Sequence, residues 1–528
     1  MIIRRWLAAL IASLMLSTFV LPSSVLGVLQ QGRTVTKPPA RPAKPPLHPQ
    51  PEKPEPKLPN ASNIMAGHLM RRIGFGPTQA EVNHITSIGL GNYIQEQLNP
   101  AAIDDSLADQ KVTLVTVNMD DVSTYTRRWY IRMTYSKRQL LEKMTLFWHA
   151  HFAASFNKVS DAVYMNTQEQ LFRRDAFGSF RQFLIDVTID PAMMVWLDNN
   201  NNRGDHNNIP NENYAREFMQ LFALGAMQQN IDGTPKLDIN GDPVPSYSET
   251  DVREVARALT GWKVVVPDQT TRIPNAVFDS TRHDTGVKHI LGQTVNGRTG
   301  ADGANEVSDV VNILMAQPTM APFIAKELIF EFATEKPSPD YVKRVATVFN
   351  QSSGNLKTVM IAVLQDPEFW SKAVVRNQVK TPIEQFIGPV RALGGSTKGQ
   401  AIDTATYSTN SAKQRVYHPP SVFSFYPPGQ RSALLAADLA IIRDNYADTL
   451  ANASTSADTF IDLAALKTTI NASTPDAMVD GLSTLLLQAP LETQTRARII
   501  QWFGGTLTDS KIKTAIWLLL TCPDYQRN

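Results

Sequence analysis

Helix punctuation runs through this chain from residue 78 almost to its end, and it leaves little room for any fold but a helical one. "PTQAEVNHI" places Thr78 three residues ahead of Glu81. That is the spacing of a capping box, in which hydroxyl and carboxylate satisfy the free N–H groups of a first turn. "SETDVREVARALTG" repeats the device with Ser248 and Asp251, and carries Gly261 past the far end. "SPDYVKRVATVFNQSSG" has Ser338 as cap, Pro339 at the first helical position and Gly354 beyond the end. Strand-like alternation is confined to "WKVVVP" and "KHILGQTVNGRTG", where Asn296-Gly297 has hairpin chemistry. The expectation is a mainly α, multi-helical single large domain over residues 61–528, with a small β-hairpin excursion near 262–300.

The first 60 residues follow different rules. Arg4 and Arg5 precede an apolar run from Trp6 to about Leu21, and Val25 and Gly27 stand where an export peptidase would cut. This predicts a signal peptide over residues 1–27 and a periplasmic or secreted protein. The rival is an uncleaved anchor, although the apolar run is near the short limit for spanning a bilayer. No cysteine follows the run, so lipid attachment there is excluded. Next comes a proline-rich stalk or linker, residues 28–60. Ten of the 27 residues from Thr34 to Asn60 are proline. Such a stretch prefers extended polyproline II and would reach roughly 80 Å at ~3.1 Å per residue. Its His48 has no neighbour suited to metal binding.

Composition narrows the function classes. The 528 residues carry a formal net charge of +2, with no basic stripe interleaved with aromatics, so nucleic acid is not an expected partner. Cys522 is the single cysteine, which rules out an intrachain disulfide and cysteine-based zinc or iron–sulfur sites. No haem-attachment, Walker A, G-x-G-x-x-G, H-E-x-x-H or G-x-S-x-G motif occurs. One internal repeat does: "LKTVMIAVLQDPEFW" (356–370) aligns without gaps to "IKTAIWLLLTCPDYQ" (512–526). Both are apolar helices stopped by proline, and without histidine they read as two copies of one packing unit.

The chemistry-bearing residues concentrate in a few stretches. "FWHAHF" puts His149 and His151, two of nine histidines, inside an aromatic run. Helical phase sets Glu142 on the face of His149. It sets His151 200° away, so the two histidines converge only if the helix ends near Ala150. In "NENYAREFMQLFALG", Asn213, Arg216 and Glu217 share a side. His68 and Arg72 share a face in "HLMRRIGFG", and "FDSTRHDTGVKHILG" offers His283, Asp284 and Lys288. Each group has a structural reading as a buried pair tying helices together, because buried charge must be compensated. The functional reading of His149, His151 and Glu217 is a centre for a divalent transition metal, or an acid–base centre.

"HLMRRIGFGPTQAEV", "EKMTLFWHAHF", "NENYAREFMQLFALG", "DVREVARALTGW", "FDSTRHDTGVKHILG" and "VKTPIEQFIGPVRALG" occur in this order. Together they resemble the bacterial family called domain of unknown function 1800, over about Ala61 to the C-terminus. The later "YHPPSVFSFYPPGQ" resembles the family's proline-rich segment, which more often has Gly-Trp where this chain has Ser424-Phe425. The resemblance implies an exported, largely helical bacterial protein. It also implies a partner from another exported family, domain of unknown function 1501, often encoded beside it.

Two functional expectations follow. The first is an exported enzyme, a hydrolase ahead of a metal oxidase. His149, His151, Glu217 and Glu142 would be its catalytic group, with metal on the first three. His68, Arg72, Asn213, Arg216, His283, Asp284 and Lys288 would bind substrate. The second is a non-catalytic assembly protein that docks a secreted partner, with no transmembrane segment once the signal is cut.

Overall fold

The caps act where the spacing puts them. In the computed structural model, which describes residues 58–205, 208–404 and 412–528, Thr78 Oγ1 accepts from the N–H of Glu81, and Glu81 Oε2 accepts from the N–H of Thr78 at 2.7 Å. Ser248 and Asp251 exchange the same bonds at the start of helix Glu249–Ala258. Ser338 caps Pro339–Gln351, with Pro339 in the first turn. A further box, Thr381 with Glu384, opens helix Pro382–Ala392, all of whose residues are buried. The expected signal peptide, His48 and nearly all of the proline-rich stalk lie outside the described residues.

Helices dominate, and sheet is limited to small two-stranded antiparallel pairs. The β excursion sits where expected, as Trp262–Val265 against Asn275–Phe278 and Lys288–Ile290 against Gln293–Val295. The turn of the second hairpin, however, is Leu291-Gly292, with φ of 50° and 76°, and not Asn296-Gly297. Positive φ at both positions is the signature of a type I′ hairpin loop, and the Ile290–Gln293 pairing fixes it five residues earlier than the Asn-Gly signal. Gly297 has a different use. A Cβ there would lie 1.9 Å from the carbonyl oxygen of Thr285, so the glycine permits a close backbone approach. A second excursion was not expected. Residues 226–247 fold into an irregular ladder, with bridges Met227–Pro245 and Leu237–Pro243, and its side chains Leu237 and Ile239 are exposed.

One large apolar cluster runs from Ala66 to Tyr417, and a second gathers residues from Val379 to Tyr525. The two copies of the helix repeat divide between them, Val359 and Leu364 in the first and Ile516 and Leu520 in the second. That is consistent with a packing unit used twice. Helix Gln139–Phe152, which carries "FWHAHF", is buried on every side except at Ala150 and His151. It packs against helix Ala162–Asp175 and the turn Phe218–Ala223. Among the described residues no helix is long and apolar enough to cross a membrane.

Candidate functional site

The two histidines diverge because their helix does not stop between them. It continues to Phe152 and ends only at Ala153, which takes the left-handed conformation (φ 48°, ψ 30°). His149 therefore points one way and His151 nearly the other. His149 Nε2 accepts the backbone N–H of Tyr417 at 3.0 Å, and its ring lies 5.4 Å from Trp129 and 5.9 Å from Phe425. Burial, with His418 nearby, brings its pKa down to about 3, so the ring is neutral and acts as an acceptor. His149 thus pins the chain at Tyr417, where φ is 64°.

His151 sits among Phe147, Trp148, Phe152, Phe222 and Phe323, and donates from Nε2 to the carbonyl oxygen of Phe222 at 3.2 Å. Burial lowers its pKa to about 4, against the opposing effect of that bond. With the proton on Nε2, Nδ1 is left as an acceptor. One edge of the ring lines a cleft of about 60 Å3, shared with Glu327, Glu331, Ser424, Tyr426 and Arg431. The cleft lies between the histidine helix, helix Met320–Phe332 and the proline-rich loop at 424–431.

Glu327 is the unusual group here. Among the described residues its carboxyl has no hydrogen-bond or ion-pair partner. Burial pushes its pKa up, Lys326 pulls it back, Glu331 adds to the rise, and the balance is about 7. A carboxyl that is half protonated near neutral pH, beside a neutral histidine in a cleft, is the pattern of paired acid and base groups. Beneath the cleft lies a compensated charge network. Lys143 bridges Glu331 at 3.0 Å and Glu384, and Arg431 holds Glu331 at 2.6 Å and Glu384 at 3.4 Å. Burial alone would push the Glu384 carboxyl up, but Lys143 and Arg431 reverse that and hold it at about 2. Replacing one member of such a network would cost about 3–5 kcal/mol, because the others stay buried and unpaired.

The expected companions of the histidines go elsewhere. Glu142 does not orient His149. Its oxygens accept from Arg173 Nε and Nη2 at 3.1 and 2.8 Å, and Arg173 also holds Glu169. The polar side of "NENYAREF" faces Tyr247–Glu249 and not the histidine helix. Arg216 binds Glu249 through two bonds of 2.7 and 2.8 Å, Asn213 donates to Asp198, and Glu217 is half-buried near Arg216 and Tyr247. The other side of that segment presents Phe222 to His151. His149, His151 and Glu217 are therefore not brought together as a ligand set. Among the described residues no three His, Cys, Asp or Glu side chains converge in a way suited to a metal.

The remaining candidates form structural ties. His68 is fully buried, bonds the carbonyl oxygen of Phe369 through Nε2 at 3.0 Å and meets Trp370 edge-on. Arg72 donates to Val374 O at 2.8 Å and to Gln378. His283, Asp284 and Lys288 do come together, around a buried carboxylate that sequence reasoning missed. Glu306 lies 2.7 Å from Lys288 and 3.2 Å from His283, while Asp284 is held by Arg257 at 2.8 and 3.0 Å. Both histidine and lysine are fully enclosed, so this cluster is a tie between the β excursion and helix Glu306–Met315.

Glu327, Glu331 and Arg431 were also missed. Acids inside the apolar "FIAKELIFEF" were the available signal, at 327 and 331, four apart on one helical face. A family model described as "Protein of unknown function (DUF1800)" matches residues 68–527. No curated protein and no solved structure matches the chain.

Proposed function

Since the chain belongs to the DUF1800 family, whose description assigns no activity, we propose from its residues that it is an acid–base hydrolase acting at the His151–Glu327 cleft. The observation that carries this is the partnerless Glu327 carboxyl sharing a cleft with a neutral histidine. Glu327, with a pKa near 7, delivers a proton to a leaving group. His151, neutral with Nδ1 unprotonated, accepts one from an attacking water. Ser424 and Tyr426 line the same space, and their hydroxyls are the groups that would hold the substrate. Arg431 and Lys143 are saturated by Glu331 and Glu384, so their part is to keep the floor of the cleft rigid. The basic, apolar start of the chain supports action outside the cytoplasm.

The test is hydrolysis of a panel of chromogenic esters, phosphoesters and glycosides by wild type, Glu327→Gln and His151→Asn, with melting temperature as a folding control. General acid–base groups contribute roughly 10²–10⁴-fold. A substrate that wild type turns over and the folded variants do not supports the reading. Undiminished turnover in both variants sinks it, as does a Glu327 that titrates near 4.5 with no turnover across the panel.

A second reading, docking of an exported protein partner, is favoured by the arm at 226–247, where Leu237 and Ile239 are 55% and 100% exposed. Apolar side chains so presented suit a protein surface. Leu237→Ser with Ile239→Ser should then abolish co-purification of a periplasmic partner and leave hydrolysis untouched.

A further inference from the structure

A second recess shares no lining residue with the cleft of His151. It is an open hollow of about 620 Å3. Helices Gln79–Ile88 and Leu90–Gln97 form one side, with Gly89 (φ 89°) turning the chain from one into the other. The turn Pro100–Ala102, the loop at 136–137 and the end of helix Pro382–Ala392 form the rest. Its apolar walls come from Tyr93, Ile103, Leu107 and Val390, and Leu107 is 50% exposed.

The polar groups along these walls are already spent. Arg391 gives Nη2 to Glu81 at 2.6 Å, Nε to the carbonyl oxygen of Gly76 at 2.8 Å and Nη1 to that of Thr134. Gln97 donates to the carbonyl oxygen of Lys137 at 3.0 Å and accepts from the N–H of Leu140 at 3.2 Å. The Ser136 hydroxyl donates to Asp105 at 2.8 Å, and the Tyr135 hydroxyl accepts from the N–H of Thr397. At the rim His84 pairs with Glu96 at 2.8 Å, and the exposed Asp104 and Lys137 carry opposite charges. Each charge around the recess thus has its opposite, and none stands free inside it. Tyr93 is the exception among the hydroxyls. The residue is 2% exposed, and its hydroxyl has no hydrogen-bond partner among the described residues. Burial, Glu81 and Glu96 raise its pKa against the pull of Arg391, so the hydroxyl keeps its proton and remains a donor.

We propose that this recess binds an uncharged, largely apolar small molecule that accepts a hydrogen bond from the Tyr93 hydroxyl. The volume falls within the range of about 300–1,000 Å3 usual for such ligands. A ligand there would cover the Leu107 side chain and satisfy the one donor left open. An ionised ligand would give up its hydration for a site with no free counter-charge inside.

The full chain tests this by titration with prodan, an uncharged naphthalene ketone whose emission brightens and shifts to the blue in apolar surroundings. A saturable shift with one site per chain is expected. Tyr93→Phe keeps the ring and removes the donor, and should weaken binding roughly 2–10-fold, the share of one hydrogen bond. Ala102→Trp, at an exposed position on the wall, should fill the recess and abolish the shift. The anionic relative anilinonaphthalene sulfonate should bind at least 10-fold more weakly than prodan. Crystals of wild type soaked with prodan should show its ketone oxygen within hydrogen-bond distance of Tyr93 Oη, which stands apart from whether either variant folds. An absent or unsaturable response, binding undiminished in Ala102→Trp or in Tyr93→Phe, equal affinity for the sulfonate, or a soaked crystal with prodan elsewhere would each overturn the proposal.

Discussion

Glu327→Gln should make this protein more stable at alkaline pH, and the size of the gain measures how far the cleft strains its own carboxyl. The folded chain holds the Glu327 proton up to about pH 7, while an ordinary glutamate releases it near 4.5. Between those values the folded state binds a proton that the unfolded state has lost. The stability this group contributes is therefore fully present below pH 4.5 and disappears as pH rises through 7. The full gap, at about 1.4 kcal/mol per pH unit, corresponds to about 3 kcal/mol. Glu327 is only half-buried, and solvent at the mouth of the cleft reduces the expected effect to about 1–2 kcal/mol. Glutamine has the same shape and never ionises. The variant should match wild type at pH 4.5 and exceed it by that amount at pH 8. Urea unfolding of both proteins across this range is the assay. Taking the difference cancels every other titrating group, the histidines included. Parallel curves would mean that Glu327 is an ordinary surface acid, and the acid–base reading of the cleft would fail with it. A gain in stability on removing the group is what a functional residue held against its own preference should give.

Three further outcomes are expected. His149→Leu leaves the buried N–H of Tyr417 without its acceptor, which should cost about 1–3 kcal/mol in urea unfolding and open the 412–431 segment to limited proteolysis first. His149 and His151 have folded pKa values of about 3 and 4, below the ordinary 6.5. The stability they contribute is present above pH 6.5 and is lost as pH falls toward 4, by about 6 kcal/mol at most for the pair, so an unfolding midpoint that stays flat from pH 6.5 to 4.5 would contradict their burial. Ser424→Gly should raise stability by about 0.5–1 kcal/mol, seen as a higher melting temperature, because Ser424 has φ of 70°, a region where a side chain costs roughly 1–2 kcal/mol.

That last position shows what kind of information a sequence carries. The Ser424-Phe425 pair looked like a departure from a Gly-Trp pattern with no consequence to assign. The backbone explains the glycine: the turn needs positive φ, and serine tolerates it at a cost. Features set by neighbours along the chain were legible in this way throughout. The capping boxes at Thr78 and Ser248 and the small β pairs near 262–300 are local, and they stand where local chemistry puts them. The Asn296-Gly297 turn was misplaced because its glycine serves a non-local need, room for the backbone at Thr285.

The cleft was illegible for the same reason on a larger scale. Its floor joins Lys143, Glu331, Glu384 and Arg431, which span almost 290 positions of the chain, and no periodicity relates them. "FWHAHF" was half legible. Its apolar surroundings forced the histidines inward, which holds for His149, while His151 is partly exposed. Whether they converged depended on where one helix stopped, and a helix end is known only to within a residue or two from sequence. An end at Ala150 would have brought two imidazoles together. An end at Phe152 separates them, and gives each a different neighbour in the same late loop: His149 bonds Tyr417, and His151 faces Ser424 and Tyr426. The two histidines therefore work as a pair without touching. One anchors the loop, and the other lines the cleft that the loop helps to close.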